Sequence, residues 1–340
     1  MILRAPRFFF RVSRSPEIGT GHWARCQVLA GALRASGAAV HFNEHANSPA
    51  AFLTEILALG AQPGDWVVLD SYALGEAWER DARQAQLRVL TIDDAPKRRY
   101  AADVLLDPNV SALGARRWTG YVAPHTRVFA GADYLLLREE FIQAAARAST
   151  SRPVEAPIRN ILVSMGGSDP PGVALRVADA LHLLFASPQA FDLEVDMQKL
   201  RITFLGGTMN TRASQLEALV RQLPNAQYLS ATENISALMA TADLCVGAGG
   251  VTIWERAYMG LPSLVATLAE NQREAVAFFD QEGAHKSLGW HEDVSAATIA
   301  RAIASALASP GDMQAMAARA KTLVGEPGFV RDPLRFLVSS

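Results

Sequence analysis

The stretch Ile18-Gly19-Thr20-Gly21-His22-Trp23-Ala24-Arg25-Cys26 sets the reading of this chain. Its two glycines let the backbone turn tightly, and the apolar positions Cys26, Leu29, Ala30 and Leu33 recur at helical spacing. Phe8-Phe9-Phe10-Arg11-Val12, a strand of the buried type, precedes it across a polar loop at 13–17. Strand, glycine turn and helix in that order put His22 at the mouth of a helix. There the unpaired N–H groups and the positive end of the dipole disfavour an imidazolium, so a neutral ring able to accept a proton is expected. That is the condition for a general base. The competing reading is a loop histidine beside glycines that only shape a connection.

Working outward, Val40-His41-Phe42, Trp66-Val67-Val68-Leu69-Asp70, Val89-Leu90-Thr91-Ile92 and Val104-Leu105-Leu106 read as further strands, with helices up to Gly37 and over 53–59. This alternation predicts a parallel sheet with crossover helices, and ligands in such sheets sit beyond the carboxyl ends of the strands. Those ends carry Asp70-Ser71-Tyr72, Asp93-Asp94 and Asp107-Pro108-Asn109, and Gly131 to Arg138 closes the half. Each of these polar groups also suits a helix cap or turn. Residues 144–157 lose periodicity and include Pro153 and Pro157, which predicts a domain boundary there, between residues 1–150 and 151–340. After it the pattern restarts: a strand at 160–164, the turn Met165-Gly166-Gly167-Ser168-Asp169, a helix at 173–184, and strands at 201–205, 244–246 and 263–266. The tail beyond Gly325 reads as a surface helix packed on one of the domains.

A chain of 340 residues, half of them hydrophobic, can bury two cores. A formal charge of −2 gives no bulk attraction to nucleic acid or an anionic membrane. Cys26 and Cys245 stand far apart in apolar runs, which argues for reduced thiols over a disulfide framework or a zinc cluster. Arg11 ends the phenylalanine run well short of a signal-peptide core of roughly 7–15 residues, and no apolar run nears the about 18 of a membrane span. A soluble, cytoplasmic protein without nucleic-acid partners is expected.

A second glycine turn, Gly247-Ala248-Gly249-Gly250-Val251-Thr252-Ile253-Trp254-Glu255, lies between a buried strand and a helix. Adjacent glycines admit a phosphate to the backbone, and the first N–H groups of the helix can hold the anion. Thr252 can add a hydroxyl, and no lysine follows, which excludes a Walker-type loop. Glu255 falls one turn into the helix, where it can reach ribose hydroxyls or merely complement the helix dipole. Asn271-Gln272 opens the next helix and offers amides to sugar hydroxyls or acetamido groups, with capping by Asn271 as the alternative.

Together these residues resemble the PseG family, the UDP-2,4-diacetamido-2,4,6-trideoxy-β-L-altropyranose hydrolases of pseudaminic acid synthesis. The resemblance runs through Arg11-x-x-x-Ser15-x-x-Ile18-Gly19-x-Gly21-His22-x-x-Arg25-Cys26, Asp70-Ser71-Tyr72, Asp93-Asp94, Leu137-Arg138-Glu139-Glu140-Phe141, Met165-Gly166-Gly167-Ser168-Asp169, Gly247 to Glu255 and Ala269-x-Asn271-Gln272. It implies an α/β fold of the GT-B type, related to the MurG glycosyltransferases, with two Rossmann-like domains facing a cleft and UDP held mainly by the second. It implies His22 as the base, with Gly19, Gly21, Arg25, Tyr72, Asp94, Arg138, Gly167, Asn271 and Gln272 toward the sugar. Ala248, Gly249, Gly250, Thr252 and Glu255 fall to the nucleotide. Cleavage of the C1–O bond with inversion, by a monomer without metal or cofactor, completes the expectation. Ser13 departs from it, because the family has an aspartate there; if that acid orients the base, Asp70 or Asp94 must replace it. Trp23, bulkier than the family's residue, is expected to reshape the sugar pocket.

Three rival readings remain. A GT-B glycosyltransferase needs the same base and UDP cradle. A dinucleotide oxidoreductase fits Gly19-x-Gly21-x-x-Ala24 with Glu44, but its glycine turn should follow the strand at once, and residues 13–18 intervene. A silent nucleotide-sugar binder is the third, suggested by Ser13.

Overall fold

The computed structural model describes residues 6–12, 21–43, 49–71, 74–147, 156–232, 234–325 and 336–337. They form two six-stranded sheets whose strand pairs are all parallel. The first sheet comprises β1 (Arg7–Val12), β2 (Ala39–Asn43), β3 (Trp66–Asp70), β4 (Arg88–Ile92), β5 (Val104–Asp107) and β6 (Arg127–Ala130), in the order β2-β1-β3-β4-β5-β6. The second comprises β7 (Asn160–Ser164), β8 (Arg201–Leu205), β9 (Ala226–Leu229), β10 (Leu244–Ala248), β11 (Ser263–Thr267) and β12 (Lys286–Trp290), in the order β12-β11-β10-β7-β8-β9. The α/β reading from alternation therefore holds in both halves.

The apolar runs explain why both faces of each sheet are covered. Along β1, Phe8 and Phe10 enter one core with Trp66 and Val68, while Phe9 enters another with Val67 and Leu69. Residues alternate sides along a strand, so three consecutive phenylalanines serve two cores. In the second sheet Ile161 and Val163 pack on one side, and Leu162 with Cys245 on the other.

Helix α1 (Gly21–Ala35) buries Cys26, Leu29, Ala30 and Leu33 in the Phe8–Trp66 core, as the spacing predicts. It ends with Gly37 at φ +88°, where Gly37 N–H donates to Arg34 O and Ala38 N–H to Leu33 O. This Schellman arrangement satisfies the last carbonyls and needs a residue at ease with positive φ.

The chain divides into two compact units, placed elsewhere than at residue 150. One takes in β1, His22 to Arg138 and Phe336–Leu337; the other takes in Glu139 to Gly325, with Gly21 grouped to it. The helix Glu139–Arg147 goes with the second unit because Phe141 is buried there against Leu162, Met239 and Cys245. The tail returns to the first, where Leu337 is buried and Phe336 lies under Arg88 and Arg127.

Candidate active site

The two strand orders locate the sites. In the first sheet the chain leaves β1 toward β2 and then returns to the other side of β1 as β3; in the second it leaves β7 toward β8 and later takes β10 on the opposite flank. A crevice opens at each such reversal beyond the carboxyl ends of the strands. His22, in the first turn of α1, and Asp70, the last residue of β3, meet at the first reversal. The Gly166-Gly167 and Gly249-Gly250 turns follow β7 and β10 at the second.

At the first reversal the site consists of charged side chains. His22 Nδ1 lies 2.5 Å from Asp70 Oδ1, with both residues buried. Arg25 forks onto the same carboxylate through Nε and Nη2, each at 2.6 Å, and its Nη1 donates to Asp94 Oδ1. Burial opposes the charge on Asp70, yet Arg25 and His22 hold its carboxyl below the ordinary aspartate value. An ionised oxygen this close to Nδ1 places a proton between them, so in the neutral ring Nδ1–H donates and Nε2 carries the lone pair. Of the two acids weighed for the ring, Asp70 and Asp94, it is Asp70 that contacts His22. Ser13, Gly19 and Tyr72 lie outside the described residues.

The network continues along the sheet edge. Asn109 Nδ2 donates to Asp94 Oδ1 at 3.2 Å and to Asp107 Oδ1 at 3.0 Å. Trp118 Nε1 donates to Asp107 Oδ2 at 2.9 Å, and Arg117 gives Nη2 to the Asp94 carbonyl at 2.6 Å. Burial, only partly offset by Arg117, Trp118 and Asn109, pushes Asp107 up to about 7. Burial beside Asp94 likewise raises Asp93, whose carboxylate accepts from Tyr100 Oη at 2.8 Å.

At the second reversal the site is mostly backbone. Asp169 accepts Val173 N–H and Ala174 N–H, both at 2.9 Å, and so caps the helix Val173–Ala186 that follows the Gly166-Gly167 turn. A Cβ on Gly207, at φ +80°, would lie 2.4 Å from Gly166 O and 2.6 Å from Gly167 O, so the turns after β7 and β8 are nested. Gly249 and Gly250 differ. A Cβ on Gly249 would strike Val276 Cγ2 at 2.3 Å, whereas on Gly250 the nearest atom is Gln272 Nε2 at 3.7 Å. Gly249 is therefore a packing glycine, and Gly250 is the one with room beside it.

Thr252 begins the helix Thr252–Met259, and its hydroxyl accepts from Arg256 Nη1 at 2.9 Å, leaving its own hydrogen to donate. Arg256, buried at 1% exposure, also gives Nη2 to Ala248 O at 2.8 Å and Nε to Ser263 Oγ at 3.1 Å. It rivets the end of β10 to the helix start and to β11. Sequence reasoning passed it over; the signal was an arginine four residues, one helical turn, after Thr252.

The remaining expected residues fall as follows. Arg25, expected at the substrate, is turned inward on Asp70 and Asp94. Asn271 and Gln272 open the next helix, as expected, through a 3-10 turn, Glu270–Gln272, that runs directly into the helix Arg273–Gln281. Gln272 Oε1 accepts Leu268 N–H at 2.9 Å, with its Nε2 on the side of Gly250. Glu255 is 1% exposed, closed off from solvent. Arg138 is half-buried just before the second unit, Gly21 is the first residue of α1, and Trp23 packs its ring on Phe42 at 4.9 Å. Cys26 and Cys245 are free and buried. No described helix is long and apolar enough to cross a membrane.

Residues 185–326 match the glycosyltransferase family 28 C-terminal domain. Among curated proteins the chain is similar to the spore coat polysaccharide biosynthesis protein SpsG of Bacillus subtilis, 31% identical over 179 residues, covering 53% of this chain and 49% of that protein. The chain spans about half the length of the curated relatives it matches. Among solved structures, Acinetobacter baumannii MurG superposes with a TM-score of 0.65 at 15% identity, covering 98% of this chain and 100% of that one. The UDP-GlcNAc 2-epimerase of Neisseria meningitidis, solved with UDP-GlcNAc, gives 0.61 at 13% identity, over 98% and 99%. At these identities the likeness establishes the fold: two parallel six-stranded α/β units of the GT-B type.

Proposed function

We propose that this protein hydrolyses a UDP-activated diacetamido sugar, releasing UDP and the free sugar by attack of water at the anomeric carbon with inversion. The observation that carries the reading is the histidine whose Nδ1 is held by a buried carboxylate, leaving Nε2 to accept a proton at a sheet's topological reversal. In this scheme Nε2 takes the proton from the attacking water, and Asp70 faces the charge that the ring gains. The departing diphosphate is received at the Ala248-Gly249-Gly250 turn and at the start of the helix Thr252–Met259, where the helix dipole favours negative charge. A diphosphate leaves readily once its charge is held, so a single base suffices and the paired carboxylates of ordinary glycosidases are not required.

Gly167, Asn271 and Gln272 are assigned to the substrate and Glu255 to the ribose, the last requiring that its surroundings open. Arg25 and Asp94 are assigned to holding the base. The sugar, 2,4-diacetamido-2,4,6-trideoxy-L-altrose, and the place in pseudaminic acid synthesis are supported by the motif resemblance. UDP is supported by that resemblance and by the likeness to an epimerase solved with UDP-GlcNAc. Transfer to an acceptor hydroxyl is the second reading, favoured by the glycosyltransferase family 28 match.

Turnover of the UDP-sugar in H₂¹⁸O without any acceptor separates the two. Hydrolysis at C1 puts the label in the free sugar and none in UDP. Absence of turnover until an acceptor is added would overturn the hydrolase reading in favour of transfer.

A further inference from the structure

We propose that Asn109 is a positioning residue for His22, acting through Asp94 and Arg25. The inference rests on the reading of His22 as the base, and the geometry reaches it in three steps. Asp70 and Asp107 end β3 and β5, and Asp94 follows β4 between them, so three carboxyl groups crowd one edge of the sheet. Arg25 joins the first two, forking onto Asp70 and reaching Asp94 with Nη1. Asn109 joins the second and third, with Nδ2 at 3.2 Å from Asp94 Oδ1 and 3.0 Å from Asp107 Oδ1.

A turn residue would not need that side chain. Asp107 Oδ1 accepts Asn109 N–H at 3.2 Å, which closes the turn through the backbone whatever side chain stands at 109. The amide adds something else: two hydrogens on one nitrogen, the minimum that can serve two carboxylates at once without bringing charge. Asp107 is itself fixed by Trp118 Nε1 at 2.9 Å, so the amide ties Asp94 to an anchored group. Asp94 then fixes the far end of the Arg25 guanidinium. A planar fork held at one end only can pivot on Asp70, and Asp70 Oδ1 is the atom that sets the tautomer of His22.

Asn109→Asp tests this in the full-length protein, because it removes both donors and sets a further carboxylate against the two. On the hydrolysis reaction kcat should fall by about 10- to 100-fold, with KM within about twofold of wild type. The second readout needs no turnover: ¹⁵N NMR of the His22 ring, assigned against His22→Gln. Wild type should show protonated Nδ1 and unprotonated Nε2, and Asn109→Asp should shift both resonances toward exchange between tautomers. Asn109→Ser, which keeps one donor, should move them less, and it serves if the aspartate variant does not fold. Ring resonances unchanged in Asn109→Asp and Asn109→Ser would overturn the inference, even if stability had dropped. Ring resonances that move in a protein whose wild type releases no sugar would instead sustain the positioning role and defeat the hydrolase reading.

Discussion

At the carboxyl edge of the first sheet stand Asp70, Asp94, Asp107, Asn109, Arg25, Arg117 and His22, linked by side-chain hydrogen bonds and, between Arg117 and Asp107, by an ion pair. At the same edge of the second sheet stand Gly167, Gly207, Gly249 and Gly250, with Asp169 and Arg256 spending their polar atoms on backbone and hydroxyl groups. The same topology therefore presents ionisable groups in one unit and glycine turns in the other. A base must change protonation, which needs a titratable side chain in a fixed tautomer; an anion cradle must not, which backbone achieves. The contrast predicts that substitutions in the first unit act on turnover, and those in the second on nucleotide affinity.

The sharpest way to break the contrast is Asp70→Asn. An amide at 70 no longer compels the proton onto Nδ1, and kcat should fall by roughly 10²- to 10⁴-fold with little change in UDP affinity, read by steady-state kinetics and calorimetry. Next comes pH. Asp107, raised to about 7, takes up a proton on folding, so its contribution favours the folded state most strongly below about pH 4 and is lost as pH rises toward 7. That span is worth on the order of 4 kcal/mol, and Asp107→Asn should flatten the stability profile across it in denaturant titrations.

The smallest expected effect compares two adjacent glycines. Gly249→Ala drives a methyl against Val276 and should cost about 1–3 kcal/mol in stability or UDP binding, whereas Gly250→Ala should leave stability within about 0.5 kcal/mol. Equal costs at the two positions would remove the distinction between a packing glycine and an open one.

Much of this was legible in the sequence where a signal is local. The central strands β3, β7 and β8 have the bounds expected from their apolar runs, and Cys26 to Leu33 fixed the buried face of α1. The strands that were missed, β6, β9 and β12, each lie at a sheet edge, where only one or no residue of the strand is fully buried. Half-exposed short strands carry no continuous apolar run, so they read as loop. His22 was visible as a residue at a helix mouth, but its partner is 48 residues away and the next carboxylate, Asp94, is 69 residues from Arg25. Which acid at a strand end meets which base depends on strand order, and periodicity does not encode that. Asp107-Pro108-Asn109 likewise looked like a turn, because the sequence shows the turn chemistry and not the second carboxylate that the Asn109 amide reaches.

The most direct test follows the anomeric proton by NMR as wild type and His22→Ala act on the UDP-diacetamido sugar, with the dissociation constant for UDP measured on both proteins. Wild type should release the sugar as the inverted anomer. His22→Ala should lose about 10²- to 10⁴-fold in turnover while binding UDP within about twofold of wild type. A His22→Ala protein that releases sugar at the wild-type rate would contradict the account.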